Sequence, residues 1–290
     1  MMTSSPLNKF AAQALPQLED YMWAHLDQAH DAHLAKAMHY SLAAGGKRLR
    51  PLLLLATATG LGASLDAAIP AAAAIEFIHT YSLIHDDLPA MDNAAMRRGQ
   101  PANHVQFNEA TAILAGDALL TDAFALVSAT DVSAQQQVAL VRILATSAGS
   151  QGMVAGQQLD LDGSHLQLTT DQLNELNAHK TGELIRAAVD MGAVIGAADA
   201  ATRATLAQFA GAFGLGFQLL DDIEDVTMSA AQLGKPAHQD AANGKNTYVA
   251  LLGLAGARNL LQQQADAAQA ALLQLDMQTD VLRAIAQYLE

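Results

Sequence analysis

The sequence predicts an all-α protein. Alanine and leucine dominate it, whereas aromatic residues make up only 4%. Prolines are few, with none between Pro101 and Pro236 and none beyond Pro236. Long proline-free stretches rich in Ala, Leu and Gln favour helices over strands. Half of the 290 residues (51%) are hydrophobic, enough for a sizeable core. No linker, low-complexity tract or composition shift interrupts the chain, so residues 1–290 are expected to form a single domain.

The formal net charge of −14 argues against a nucleic-acid partner, because phosphate backbones attract basic surfaces. A small phosphorylated ligand remains compatible, since its cations can be local. The fifteen Lys and Arg residues are unevenly placed. Lys47, Arg48, Arg50, Arg97, Arg98, Lys180, Lys235 and Lys245 stand beside the acidic clusters described below. The absence of cysteine excludes disulfide and thiolate chemistry. Residues Met1 to Phe10 lack the apolar core of a signal peptide. The longest apolar runs fall short of the roughly 18 to 20 residues of a membrane span. A cytoplasmic protein without a membrane span is therefore expected.

Residues 1 to about 16, with Pro6 and Pro16, read as a frayed lead-in, and a first helix is expected from Gln17 to about Ala35. His25, His30 and His33 lie on it, but spacings of five and three do not hold three imidazoles on one face. A solvated face is the better reading. Gly45-Gly46 ends the next helix, and Pro51 suits the first turn of the one after. Between them Lys47, Arg48 and Arg50 meet a helix N-terminus, a good anion site, with a solvated basic loop as the bland alternative. The helix expected from Ile69 to Leu88 holds Glu76 and His79. Glu-x-x-His is half of a di-iron carboxylate motif, but no second copy occurs.

That helix ends in His85-Asp86-Asp87-Leu88-Pro89-Ala90-Met91-Asp92. Asp86 and Asp92 are six apart, which leaves them on different faces of a regular helix. Pro89 breaks the helix, and a distorted turn could swing Asp92 back. A loop bearing Arg97 and Arg98 follows at once. Residues 107 to 160 read as helices, in which Gln157 either faces a cavity or fills the core. Thr170-Asp171 caps a helix containing Lys180-Thr181-Gly182, where Gly182 argues for a kink that frees a carbonyl. The helix from about Thr202 to Val226 carries Gln218 and Asp221-Asp222-Ile223-Glu224-Asp225, with Asp221 and Asp225 on one face. A cationic loop with Lys235 and Lys245 follows, and helices resume to Glu290.

Both acidic clusters terminate long apolar segments. Burying adjacent ionised carboxylates is costly unless cations neutralise them. Two such clusters flanked by Lys and Arg fit a diphosphate held by Mg²⁺, which prefers oxygen and bridges one or two carboxylates to phosphates. No glycine-rich nucleotide loop is present. The separate Gly-Gly-Lys-Arg site points to a second phosphorylated substrate.

In this order, Gly45-Gly46-Lys47-Arg48-Leu49-Arg50-Pro51, Asp86-Asp87-x4-Asp92, Arg97-Arg98-Gly99, Gly116-Asp117, Lys180-Thr181-Gly182, Phe217-Gln218, Asp221-Asp222-x2-Asp225, Leu233-Gly234-Lys235 and Gly244-Lys245 resemble the bacterial short-chain trans-isoprenyl diphosphate synthases, most of all the farnesyl type. The match runs from about Lys36 to Leu252. The resemblance implies a large helical bundle with a central cavity, usually a homodimer. Asp86, Asp92 and Asp221 would ligate three Mg²⁺ ions, with Asp87, Asp222 and Asp225 as additional or water-mediated partners. With the ions, Arg97, Lys180 and Lys235 would hold the allylic diphosphate; Lys47, Arg50, His79 and Arg98 would hold isopentenyl diphosphate. Lys245 is a further substrate-binding candidate. Thr181, Gln218 and the carbonyl of Lys180 would stabilise the allylic cation.

Product length would be set below the first motif, where Tyr81 and Ser82 lie about one turn before Asp86. Tyr81 is either the floor of the pocket or ordinary core. Three features depart from the family: Asn93-Ala94-Ala95 stands where further acids are common, His238 replaces a usual glycine, and the basic C-terminal tail is replaced by Gln287-Tyr288-Leu289-Glu290. A geranyl or geranylgeranyl synthase on the same scaffold is the alternative, and a silent regulatory subunit is the alternative of another class.

Overall fold

The structure, a computed structural model, describes residues 5–164, 166–228 and 246–290. Thirteen α-helices are defined among them: α1 (Pro6–Leu26), α2 (Ala32–Ala43), α3 (Leu49–Gly60), α4 (Leu65–Asp86), α5 (Asn103–Phe107), α6 (Glu109–Ser128), α7 (Ala134–Ala148), α8 (Met153–Gly163), α9 (Thr170–Asn177), α10 (Glu183–Ile195), α11 (Ala200–Thr227), α12 (Tyr248–Leu272) and α13 (Asp280–Ala286). A π-helical turn (Ala178–Gly182) joins α9 to α10, and a 3₁₀ turn (Gln287–Leu289) follows α13. The all-α expectation holds.

Helix α4 is the axis of the bundle. It packs against α6, α3, α1 and α10. Ile75, Phe77 and Ile78 are fully buried, and the run Ala71–Ala74 is buried all round. Each large side chain contributes roughly 2 kcal/mol of burial, and the alanines let neighbouring helices approach closely. Ser64 starts α4 by accepting from the Ala67 amide, four residues earlier than the sequence suggested. The second long helix, α11, packs along α12 and against α10.

Three expectations are corrected. Residues 6–16 are not a frayed lead-in: Ser5 caps α1, Pro6 begins it, and Pro16 lies inside it. The buried stripe Ala14, Leu18, Met22 and Leu26 holds that helix together against the cost of an internal proline. The first helix stops at Leu26 rather than Ala35, and Asp31 caps α2 by accepting from Leu34 at 2.8 Å. The Arg97–Arg98 loop is a β-hairpin, Met96–Arg97 pairing with Gln100–Pro101. Its two turn residues, Arg98 and Gly99, have φ of 52° and 78°, as a two-residue hairpin turn requires.

Apolar run length also understated the helices. Three stretches, Leu65–Asp86, Glu109–Ser128 and Ala134–Gly163, are long and apolar enough to cross a membrane by length and composition. Occasional polar residues interrupted the runs in sequence without breaking α4 or α6, while the third stretch divides into α7 and α8. In α4 the apolarity serves the core, since 78% of its most apolar stretch is buried in the bundle.

One buried ion pair ties the anion-site loop to this axis. Arg48 sits at φ 46° and turns its side chain inward. Its Nη1 donates to Glu76 Oε1 at 2.7 Å, its Nη2 donates to the Leu42 carbonyl at 2.5 Å, and Glu19 lies 3.7 Å away. Both members of the Arg48–Glu76 pair are almost completely excluded from solvent. Glu76→Gln should therefore cost about 3 to 5 kcal/mol of stability, read from urea unfolding, because it leaves a buried guanidinium without its counter-charge.

Candidate active site

The first carboxylate turn is built by backbone hydrogen bonds. After α4 the chain reverses: the Asp92 amide donates to the Asp86 carbonyl at 2.9 Å, Asn93 to Leu88 at 3.0 Å, and Ala94 to Asp87 at 3.1 Å. This return brings Asp92 back onto Asp86, as the broken-helix reading expected. Asn93 adopts φ 48°, a region asparagine tolerates well, which gives this residue a local structural role.

The three aspartates of this turn then diverge in environment. Asp86 accepts a hydrogen bond from Gln157 Nε2 of α8, so Gln157 does reach the site. Asp87 is buried and takes hydrogen bonds from Arg97 Nε at 3.0 and 3.1 Å and from Arg97 Nη2. Burial pushes the Asp87 carboxyl up, and the Arg97 guanidinium draws it part of the way back. Asp87 and Arg97 were assigned to metal and substrate, yet here they clamp the hairpin to the end of α4.

A cationic cluster lies beside this turn. Arg50 Nε is buried without a hydrogen-bond partner, and burial draws the guanidinium down to about 10 against the pull of Glu76. His79 is pushed well below its ordinary value, first by burial and then by Arg50, Arg98, Arg97 and Arg48, so its ring is neutral near pH 7. Arg98 donates to the Gly45 carbonyl. Gly46, at φ 125°, leaves space for that guanidinium, since a Cβ there would come within 2.8 Å of Arg98 Cζ. Lys47 is exposed, its Nζ lying 4.4 Å from the Tyr288 ring centroid and 5.8 Å from that of Phe217.

The second half of the site centres on the π-turn. Gly182 was expected to kink its helix, and Ala178–Gly182 indeed widen into π geometry. Lys180 Nζ donates to Asp160 of α8 at 2.5 Å. The Thr181 hydroxyl donates to Gln218 Oε1 at 3.3 Å, and Gln218 Nε2 donates to Asp222 Oδ1 at 3.0 Å. The Tyr248 amide then donates to Asp222 Oδ2 at 2.7 Å, and Tyr248 Oη donates to Asn174 at 2.8 Å. Burial pushes the Tyr248 phenol up to about 12. Asp222 and Asp225 are both buried, yet neither oxygen of Asp225 has a hydrogen-bond partner. Asp221 is half-buried.

Tyr81 is buried, and its ring meets that of His85 edge-on at 5.8 Å. The Ser82 hydroxyl donates to the His79 carbonyl at 2.8 Å. Lys235 and Lys245, with His238, lie outside the described residues. His30 and His33 are exposed, as the solvated-face reading expected, whereas His25 is half-buried on α1 and meets the Phe77 ring edge-on at 5.8 Å.

The chain matches the family described as polyprenyl synthetase over residues 31–288. It is 50% identical over 249 residues to a farnesyl diphosphate synthase of Geobacillus stearothermophilus, covering 85% of this chain and 84% of the relative. A farnesyl diphosphate synthase of Micrococcus luteus is 47% identical over 266 residues, 91% of each chain. Among solved structures, a geranyltransferase of Helicobacter pylori complexed with magnesium and isoprenyl diphosphate superposes with a TM-score of 0.84 at 36% identity, over 100% of this chain and 98% of that one. The chain belongs to the polyprenyl synthetase family. The two sequence relatives are both farnesyl diphosphate synthases.

Several contacts at the site carried no readable signal. Asp160 stands at the end of α8, which closes at Gly163, and also pairs with a lysine twenty positions later. Arg48 read as one of three anion-site cations, with a solvated loop as the alternative, and Glu76 as half of a di-iron motif without its second copy; their ion pair was not foreseen. Tyr248 and Tyr288 had no motif around them at all. Gly156 belongs to the small-residue stretch 152–157 expected to let helices approach closely, and it does so: a Cβ on it would collide with the Lys180 backbone nitrogen. Gly156→Ala should push the π-turn off α8 and lower kcat by about 10- to 100-fold while circular dichroism still reports a folded helical protein.

Proposed function

We propose that this chain is a prenyltransferase that condenses isopentenyl diphosphate with dimethylallyl and then geranyl diphosphate to give farnesyl diphosphate. One observation carries the reading: a continuous line of contacts runs from the first carboxylate turn to the second. Asp86 meets Gln157 on α8, α8 meets the π-turn at Gly156, and Thr181 leads through Gln218 to Asp222. This chain of contacts supports reading the two Asp clusters and the lysine–threonine turn as one site.

Magnesium fits the donor set. All six motif carboxylates offer hard oxygen ligands, and Asp225 presents two buried oxygens with no hydrogen-bond partner. Among the described residues no three carboxylate or imidazole side chains converge tightly enough to enclose an ion alone. Magnesium usually takes one or two carboxylates and completes its shell with water and substrate phosphate, so this openness suits it. Asp86, Asp92, Asp221 and Asp225 would hold the ions, three with substrate bound, while Asp87 and Asp222 act chiefly through Arg97 and Gln218. When bound, magnesium supplies electrostatic stabilisation of the charge that develops on the departing diphosphate.

The chain's own residues supply the remainder. Lys180 and Arg97, with Lys235 and Lys245, neutralise the allylic diphosphate. The Thr181 hydroxyl, the Gln218 amide oxygen and the Lys180 carbonyl present negative dipoles to the allylic cation. Arg50, Arg98, neutral His79 and Lys47 hold isopentenyl diphosphate so that its double bond can attack that cation. The released diphosphate takes the proton lost from the adduct. Tyr81, buried below the first motif, limits chain growth.

Purified protein incubated with isopentenyl diphosphate, dimethylallyl diphosphate and Mg²⁺ should yield mainly fifteen-carbon product, and Tyr81→Ala should shift the product to twenty carbons or more. A geranyl or geranylgeranyl product from the wild type would move the assignment along the same family. No product, with both substrates bound, would point to a silent subunit.

A homodimer and a cytoplasmic location complete the proposal. Helix α6 turns Ile113 and Leu114 outward, 43% and 58% exposed, beside buried Ala112 and Ala115. A helix apolar on both faces is suited to a subunit interface. Sedimentation equilibrium should report twice the chain mass of 30.3 kDa, and Leu114→Glu should lower it toward that mass.

A further inference from the structure

Resting on the assignment of Lys47 to the isopentenyl diphosphate site, we infer that Tyr288 is a positioning residue for that lysine, holding its ammonium group in an aromatic clasp completed by Phe217. Lys47 Nζ stands 4.4 Å from the Tyr288 ring centroid and 5.8 Å from the Phe217 centroid. Both distances lie within the reach of a cation–π attraction. Lys47 is the exposed cation of the 45–50 loop. Arg48 is spent on Glu76, and Arg50 is half-buried with its Nε shielded. An unrestrained lysine side chain would lose much rotameric freedom on seizing a phosphate, and the clasp removes part of that loss beforehand.

The clasp is itself anchored. Tyr288 belongs to the 3₁₀ turn Gln287–Leu289, which packs against α11, α12 and α13. Leu289 is 2% exposed and seats on Gly216, where a Cβ would stand 2.7 Å from Leu289 Cδ1. Phe217 follows that glycine, and Gln218 follows Phe217. The same stretch of α11 therefore contributes to the allylic cation site, the lysine clasp and the docking of the turn. A ring face attracts an ammonium group from one side only, leaving its other hydrogens free for phosphate oxygens. Tyr288 thus prepares Lys47 without occupying its binding capacity.

The attraction resides in the ring and not in the hydroxyl or the volume, and this sets the test. Tyr288→Phe and Tyr288→Leu would be compared in the full chain by calorimetric binding of isopentenyl diphosphate and by steady-state kinetics with geranyl diphosphate. Tyr288→Leu should raise Kd and KM for isopentenyl diphosphate about five-fold, the size of one partly exposed cation–π contact. KM for geranyl diphosphate and kcat should stay within about two-fold. Tyr288→Phe should bind as the wild type does. Adding Tyr288→Leu to Lys47→Ala should cause no further loss beyond Lys47→Ala alone. Equal weakening in the Phe and Leu variants, tighter binding in the Leu variant, or full additivity with Lys47→Ala would each overturn the clasp. If Lys47→Ala leaves isopentenyl diphosphate binding unchanged, the assignment of the lysine fails instead.

Discussion

Charges of one sign cannot be gathered around a future ligand unless something opposes their repulsion while the ligand is away. The structure meets this constraint by giving many of its site charges an internal partner. Arg48 holds Glu76, Arg97 holds Asp87, Lys180 holds Asp160, and Arg98 rests on the Gly45 carbonyl. Each partnership spans distant parts of the sequence, so neutralising the charges also stitches α4 to the basic loop, the hairpin to α4, and the π-turn to α8. Electrostatic preparation and tertiary structure are here the same set of bonds.

The partnerships divide the site residues by function. Lys180 and Asp160 are both partly exposed, so their bond lies where solvent or a phosphate can compete for it. Arg48 with Glu76 and Asp87 with Arg97 each include a side chain almost fully shielded, and such pairs persist because breaking them strands a charge. Asp222 belongs to the second group through the Tyr248 amide and Gln218. Within one Asp-rich motif, then, the carboxylates differ in burial and in the partners that hold them. The repeated letter in the sequence conceals that difference.

Much of the architecture was legible because it depends on periodicity and on helix-breaking residues. The all-helical class, the reversal that returns Asp92 to Asp86, and the distortion at Gly182 all follow from proline and glycine chemistry local to the segment. What could not be read depends on packing between remote segments. Nothing near Asp160 signals Lys180, and nothing near Tyr288 signals Lys47. The error at the N-terminus has the opposite origin: Pro6 and Pro16 argued locally against a helix, and burial of Leu18, Met22 and Leu26 outweighed them. Lys235 and Lys245, read from sequence as substrate cations, lie outside the described residues and stand on the motif alone.

The glycines at helix contacts have a broader meaning. A Cβ on Gly214 would stand 3.4 Å from Gly182 Cα, Gly156 lies against the Lys180 backbone, and Gly216 receives Leu289. Where α8 meets the π-turn, spacing is therefore set by main chain against main chain, which side-chain replacement elsewhere cannot easily alter. Below the first motif, around Tyr81, spacing is set by side chains. A protein divided in this way can be re-tuned in one property while the other stays fixed. With Tyr81 as the proposed pocket floor, product range would rest on exchangeable side chains, and single substitutions there would diversify the product while leaving the glycine contacts untouched.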